Sequence, residues 1–231
     1  MSFQSKITKE ELNKMPVVTF EGEITVIDKN KDVEAAIAVL QQQTIVGIDT
    51  ESKPSFKKGI YYKVALLQVA TDTFCYLFRL NKFNKKAEEM IFQFLGDKNI
   101  MKIGLSLKDD FSRLRRLNKG KSANFVDLQT IAKQYGILEL GLQKMFAIVF
   151  GQKISKSQQL TNWENSTLSL AQQRYAATDA WAALQIYKRL KQEKSLPQSV
   201  VDKMLAAALA EQQELSRQNL QRNQNEESLV Y

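Results

Sequence analysis

The sequence predicts an α/β fold, a mixed sheet with helices on both faces, and three observations carry that prediction. Runs of strand-like apolar residues alternate with segments of helical periodicity along most of the 231 residues. Two neighbouring runs, Lys63–Ala70 and Thr73–Leu80, are apolar on both faces and are joined by Thr71-Asp-Thr73, the pattern of a hairpin inside a covered sheet. A third run, Thr44-Ile-Val-Gly-Ile-Asp-Thr-Glu51, reads as a buried strand that ends on two carboxylates.

Taken in order, Thr8–Met15 is a short helix with Thr8 as N-cap and Glu11 completing a capping box. Val17–Phe20 and Ile24–Ile27 read as short strands. Asp32–Gln43 places Val33, Ala36, Ile37 and Leu40 at amphipathic helical spacing and leads into the acidic strand. After the hairpin come a helix over Asn84–Leu95, a strand over Ile100–Leu105, a helix over Ser106–Leu117, a short strand over Asn124–Val126 and a helix over Asp127–Tyr135. Leu142–Phe150 is a strongly apolar helix, Gln152–Asn165 a polar loop, and Leu168 to about Lys194 a long helix. Residues 1–194 are expected to form one domain, with its core over about 20–194. Residues 195–231 form a helical, Gln/Asn-rich tail: Val200–Leu215 reads as helix and Gln212–Asn225 is expected to fray.

Composition excludes much chemistry. The chain has no histidine and one cysteine, which rules out Ser-His-Asp and Cys-His catalysis, histidine-ligated zinc and thiolate metal sites. A metal would need oxygen ligands, which favours hard cations such as Mg²⁺ or Mn²⁺. Cys75, between Phe74 and Tyr76, reads as a buried reduced thiol. No run is long enough to span a bilayer and Met1–Met15 carries no hydrophobic signal segment, so a cytoplasmic protein, nuclear if eukaryotic, without a membrane partner is expected. The balance of 33 Lys+Arg against 25 Asp+Glu gives +8. Glu211, Glu214, Glu226 and Glu227 against Arg217 and Arg222 make the last segment acidic, so the positive field lies on the rest of the chain and favours a polyanionic partner.

Side chains on a strand alternate faces, so Asp49 and Glu51 share one. Two carboxylates side by side repel, and a cation is the usual reason to keep them together; an acidic polar turn is the alternative. In the helix over Ser106–Leu117 the apolar stripe runs through Leu107, Phe111, Leu114 and Leu117. Asp110 falls at its edge, whereas Asp109 falls with Arg113 and Arg116 on the solvated side. Both could equally be surface acids paired with arginines. In the long helix Tyr175 and Asp179 stand one turn apart on the face of Ala182 and Ile186. An acid in an apolar stripe needs a partner, whether a cation, a lysine or the tyrosine.

Together, Asp49-x-Glu51, Gly104-Leu-Ser-Leu-Lys-Asp-Asp110 and Tyr175-Ala-Ala-Thr-Asp179 resemble, in order and spacing, the three motifs of the DEDD superfamily of 3′–5′ exonucleases, in its tyrosine subgroup. Lys63-Val-Ala-Leu-Leu-Gln-Val69, Cys75-Tyr-Leu-Phe78 and Asn162-Trp163 bring the chain nearest to the exonuclease domain of the Werner syndrome protein, and more loosely to ribonuclease D. The resemblance runs from about Phe20 to Lys194. It implies a ribonuclease H-like fold, a five-stranded mixed sheet with helices on both faces, and hydrolysis of DNA or RNA from a free 3′ end to nucleoside 5′-monophosphates. It further implies two divalent cations, Mg²⁺ or Mn²⁺, about 3.5–4 Å apart. On the matching positions, Asp49 bridges both ions, Glu51 and Asp179 hold one, Asp110 holds the other, and Tyr175 orients the attacking water.

Around these residues Lys53, Lys57, Lys58 and Lys63 follow the acidic strand and Arg113 follows Asp110; they are candidates to track phosphates, or simply a solvated face. Trp163 and Phe56 are candidates to stack on a terminal base, although core packing is the favoured role for Trp163. The competing functions are ribonuclease D-like RNA 3′-end processing and a non-catalytic nucleic-acid-binding module of the same fold.

Overall fold

The computed structural model describes residues 3–55, 57, 59, 62–107 and 123–228. Strands β1 (Glu23–Ile27), β2 (Ile45–Ser52), β3 (Val64–Ala70), β4 (Phe74–Arg79), β5 (Met101–Gly104) and β6 (Phe125–Asp127) form one mixed sheet in the order β1-β4-β3-β2-β5-β6. β2, β3 and β4 are antiparallel neighbours; β5 pairs with β2, β6 with β5 and β1 with β4, all in parallel. The sheet has six strands where the resemblance implies five. Strand β1 adds to the edge at β4, where Glu23–Ile27 finds five partners from Phe74 to Phe78. Val17–Phe20 is not a strand: its single bridge joins Val17 to Lys153, and Phe20 is instead buried against the Trp181 ring.

Helices α1 (Lys9–Lys14), α2 (Asn30–Leu40), α3 (Lys85–Gly96), α4 (Leu128–Lys133), α5 (Leu142–Phe150), α6 (Leu170–Leu190) and α7 (Gln198–Ser228) surround the sheet. Val33, Ala36, Ile37 and Leu40 of α2 and Ile91, Phe94 and Leu95 of α3 pack under Val46, Ile48, Leu67 and Phe78 on one face. The other face carries α6, whose Ala176, Ala177 and Ala180 lie on Leu66, Ala70 and Leu77. The hairpin strand β3 is buried at all seven positions because both faces are covered.

Boundaries shift where side chains cap. Asp127 does not open α4 from within; its carboxylate accepts the Gln129 N–H at 2.9 Å as N-cap. Ser169 and Gln172 form a capping box that starts α6 at Leu170, two residues after the expected start. The terminal helix α7 runs on to Ser228 rather than ending near Leu215. Its base is anchored by buried Val201 and by Met204, which packs near Gly136. The expected helix over Ser106–Leu117 lies outside the described residues beyond Leu107.

Candidate functional site

Strand β2 delivers Asp49 and Glu51 to one face of the sheet, as strand alternation requires, while Val46 and Ile48 enter the core on the other. Helix α6 crosses that acidic face at very short range. A Cβ on Gly47 would lie 1.9 Å from the Ala180 carbonyl oxygen, so only glycine fits under the helix there. The alanines of α6 complete the close approach, and Asp179 is carried down beside β2. Ligand oxygens of Asp49, Glu51 and Asp179 all lie within 4.8 Å of one another.

Electrostatics follow from this crowding. Asp179 is 8% exposed, and its carboxyl is held well above the ordinary range, first by burial. The Tyr175 hydroxyl donates to it and Lys156 is near enough to help, both of which favour its ionised form. Burial first, then the charges of Asp179 and Glu51, push the Tyr175 hydroxyl upward, so it stays protonated and remains a donor. Trp163 stacks on the Tyr175 ring with centroids 5.9 Å apart and fixes it from behind.

A cavity of about 260 Å³ opens over the carboxylates. Leu105, Leu142 and Ile154 give it an apolar wall, and Gln143, Lys156 and Gln159 a polar rim. The loop that forms this rim is tied down at several points. Gln143 Nε2 donates to the Ile154 carbonyl at 2.5 Å, Gln172 Nε2 to Thr161 Oγ1 at 3.0 Å, and buried Arg79 to the Asn165 carbonyl.

Of the residues singled out from sequence, Asp49, Glu51, Tyr175 and Asp179 are brought together. Asp110, Arg113, Lys58 and Phe56 lie outside the described residues. Lys57 and Lys63 are exposed and Lys53 half-buried, all just beyond the acidic end of β2. Trp163 is a correction: it is 0% exposed, enclosed by Phe20, Leu168 and Tyr175, and offers no face to a base.

Sequence reasoning missed two groups. Gln143, Lys156 and Gln159 reach the rim from a polar stretch and a helix start that carry no motif. Asp127 was read only as the start of a helix, yet its carboxylate also accepts the N–H groups of Ser106 (3.3 Å) and Leu107 (3.0 Å). It thereby holds the turn at Ser106 and Leu107 by which the chain leaves β5, with Ser106 in the left-handed region at φ 54°. An aspartate directly before an apolar helical run was the available signal for the cap, though not for the second clamp.

A mixed sheet ending in clustered carboxylates, with no histidine in the chain, fits an enzyme that handles phosphodiesters with divalent cations held by oxygen. The chain matches the 3′–5′ exonuclease family model over residues 24–195 and belongs to that family. It is 30% identical over 185 residues to the bifunctional 3′–5′ exonuclease/ATP-dependent helicase WRN of Mus musculus, covering 76% of this chain and 13% of that protein. It is 31% identical over 183 residues to a 3′–5′ exonuclease of Arabidopsis thaliana, covering 77% and 59%. The chain therefore spans less than two thirds of either relative. Among solved structures, the Nibbler EXO domain of Aedes aegypti shares the fold with a TM-score of 0.69 at 20% identity, covering 82% of this chain and 100% of that one. Ribonuclease D of Escherichia coli does so with a TM-score of 0.66 at 20% identity, covering 73% and 44%. The fold is thus of the ribonuclease H-like type.

Proposed function

We propose that this protein removes nucleoside 5′-monophosphates one at a time from the 3′ end of DNA or RNA, using two divalent cations, Mg²⁺ or Mn²⁺, held by Asp49, Glu51, Asp179 and Asp110. The observation that carries the reading is the meeting of three carboxylates within 4.8 Å, one of them buried, with a tyrosine donor on it. Burying a carboxyl beside two others is costly unless a cation or a proton sits among them, so the donor set fits a hard cation. When bound, such ions supply positive charge to the attacking and leaving oxygens and a more acidic water, which is how a site without histidine can hydrolyse a phosphodiester.

The residues divide the remaining work. Tyr175 keeps its proton and can hold the incoming water by a hydrogen bond while Trp163 limits the movement of its ring. Leu105, Leu142 and Ile154 offer apolar surface to the terminal nucleoside, and Lys156 places positive charge at the rim. Lys53, Lys57 and Lys63 can follow the phosphates of the strand leading into the site. A cytoplasmic setting, nuclear in a eukaryote, suits such a substrate.

The test is incubation with 5′-end-labelled single-stranded DNA and RNA in Mg²⁺, in Mn²⁺ and in EDTA. Stepwise shortening from the 3′ end only with metal is the expected result. Binding with no cleavage under any condition would reduce the protein to a binding module, and the ratio of the DNA and RNA rates reads the sugar preference.

A further inference from the structure

Strand β3 is buried throughout and apolar except at Gln68, which is 0% exposed. Neither Oε1 nor Nε2 of its side chain has a hydrogen-bond partner among the described residues. A buried amide unpaired at both ends is costly, whereas an apolar side chain of the same size would pack there without that cost. The register of the sheet points to what the amide serves.

Gln68 stands directly opposite Asp49 of β2, so both side chains leave the face beneath α6, with Cβ atoms about 4.5–5.5 Å apart. Leu66 and Ala70 along β3, Leu77 opposite on β4 and the α6 alanines share that face and carry no side-chain hydrogen-bonding group. Arg79 and Glu51, both opposite Leu66, are diagonal neighbours and farther off. Buried Arg79 also has its Nε unpartnered among the described residues. A guanidinium only donates and a carboxylate only accepts. The amide between them is therefore satisfied in one orientation, with Oε1 toward Arg79 and Nε2 toward Asp49.

We propose that Gln68 is a positioning residue for Asp49, its Nε2 donating to the carboxylate from inside the protein while its Oε1 takes the Nε–H of Arg79. A carboxylate has about four lone-pair sites, so one donor from within leaves those turned to Glu51 and Asp179 for a cation. The bond fixes the rotamer of Asp49, and a ligand held in place binds its ion more tightly than one that must be ordered first. The inference rests on the reading of Asp49 as a metal ligand.

The experiment measures Mn²⁺ binding to the full chain without nucleic acid, from the electron paramagnetic resonance signal of the free ion. Gln68→Met removes the amide at nearly constant volume, so the metal-free melting temperature should stay close to wild type. Its affinity for Mn²⁺ should fall by about 10–100-fold, the usual cost of losing a partner behind a ligand. Leu77→Met, which changes the packing on the other side of Gln68 and keeps the amide, should bind as the wild type does. Hydrolysis by Gln68→Met should need correspondingly more Mn²⁺, with the KM for oligonucleotide unchanged. Unaltered Mn²⁺ affinity in Gln68→Met, or an equal loss in Leu77→Met, overturns the proposal. Should Gln68→Met not fold, the wild type still decides: the Gln68 side-chain amide protons should shift in NMR spectra on titration with Mg²⁺, and their failure to move overturns the proposal. Oligonucleotide assays in parallel separate the two readings. Mn²⁺ binding weakened by Gln68→Met without hydrolysis of DNA or RNA by the wild type keeps the positioning role and removes the nuclease, whereas hydrolysis with unaltered Mn²⁺ affinity in the variant removes the positioning role alone.

Discussion

The Tyr175 hydroxyl donates to the Asp179 carboxylate one helical turn away, and both side chains are more than nine-tenths buried beside Asp49 and Glu51. The pair explains how a carboxyl can be kept under a helix and yet remain a ligand. The hydrogen bond favours its ionised form while burial opposes it, and a cation among the three acids would decide the balance.

Replacing Tyr175 by Phe removes that donor and little else, since the ring keeps its packing on Trp163. Turnover should fall by about 10²–10³, the usual cost of one positioned donor at a reaction centre. The melting temperature should stay close to wild type. A variant as fast as wild type would show that the hydroxyl has no part in the chemistry.

Asp49→Asn keeps the shape of the side chain and removes a charge from the cluster. Metal-dependent hydrolysis should drop to background while circular dichroism and melting remain near wild type, because relieving crowded carboxylates does not unfold a protein. Retained metal-dependent release of mononucleotides would remove Asp49 from its assigned role.

The raised carboxyl makes a pH-dependent prediction about the metal. In the metal-free protein Asp179 is pushed up to about 7 from an ordinary value near 3.8, so the folded state holds its proton more tightly than the unfolded chain does. Its contribution to stability is therefore fully present below the unfolded value and is lost as pH rises toward 7. A cation must displace that proton below pH 7 but not above it. Differential scanning fluorimetry should thus show a larger Mg²⁺-induced rise in melting temperature at pH 8 than at pH 5.5. Equal rises at the two values would mean that Asp179 does not bind the ion.

Much of this site was legible in the chain because its signals are local. Strand alternation puts Asp49 and Glu51 on one face whatever lies above them, and helical spacing aligns Tyr175 with Asp179. What brings the two pairs together is not local. Gly47 and Ala180 are 133 positions apart, and nothing in either neighbourhood announces that one must be bare for the other to cross it. Trp163 shows the limit from the other side. Core packing is the favoured role for this aromatic residue, but its place in a polar loop keeps base stacking open until the loop's anchors, Gln172 and Arg79, are known. The added strand β1 was legible as a strand but not as an edge partner of β4, since pairing depends on which edge is left open.

Lys53 stands where the strand leading into the site should pass, and its ammonium is 5.2 Å from the Tyr62 ring centroid. If it pairs with one phosphate, Lys53→Ala should reduce the slope of log affinity against log salt by about 0.7 for single-stranded substrate. Titrations of labelled oligonucleotide at several salt concentrations measure it. An unchanged slope would assign this lysine to the solvated surface.

Gly47→Ala tests the geometry that unites the site without touching any ligand. The added methyl would meet the Ala180 carbonyl oxygen at 1.9 Å and Leu184 Cβ at 3.0 Å, both parts of α6. The oxygen belongs to a helix backbone, so relief requires α6 to move away from β2 as a body. Overpacking of this kind costs about 1–3 kcal/mol, which should appear as a clear fall in melting temperature. The same movement lifts Asp179 from Asp49 and Glu51, although all three residues remain. The Mg²⁺-induced rise in melting temperature should then shrink along with activity, whereas a purely destabilising substitution elsewhere, such as Leu40→Ala in α2 beneath the opposite face, should lower the melting temperature and leave that rise intact. If Gly47→Ala lost stability but kept the full metal-induced rise, the close approach of α6 would be a packing feature with no bearing on the cluster.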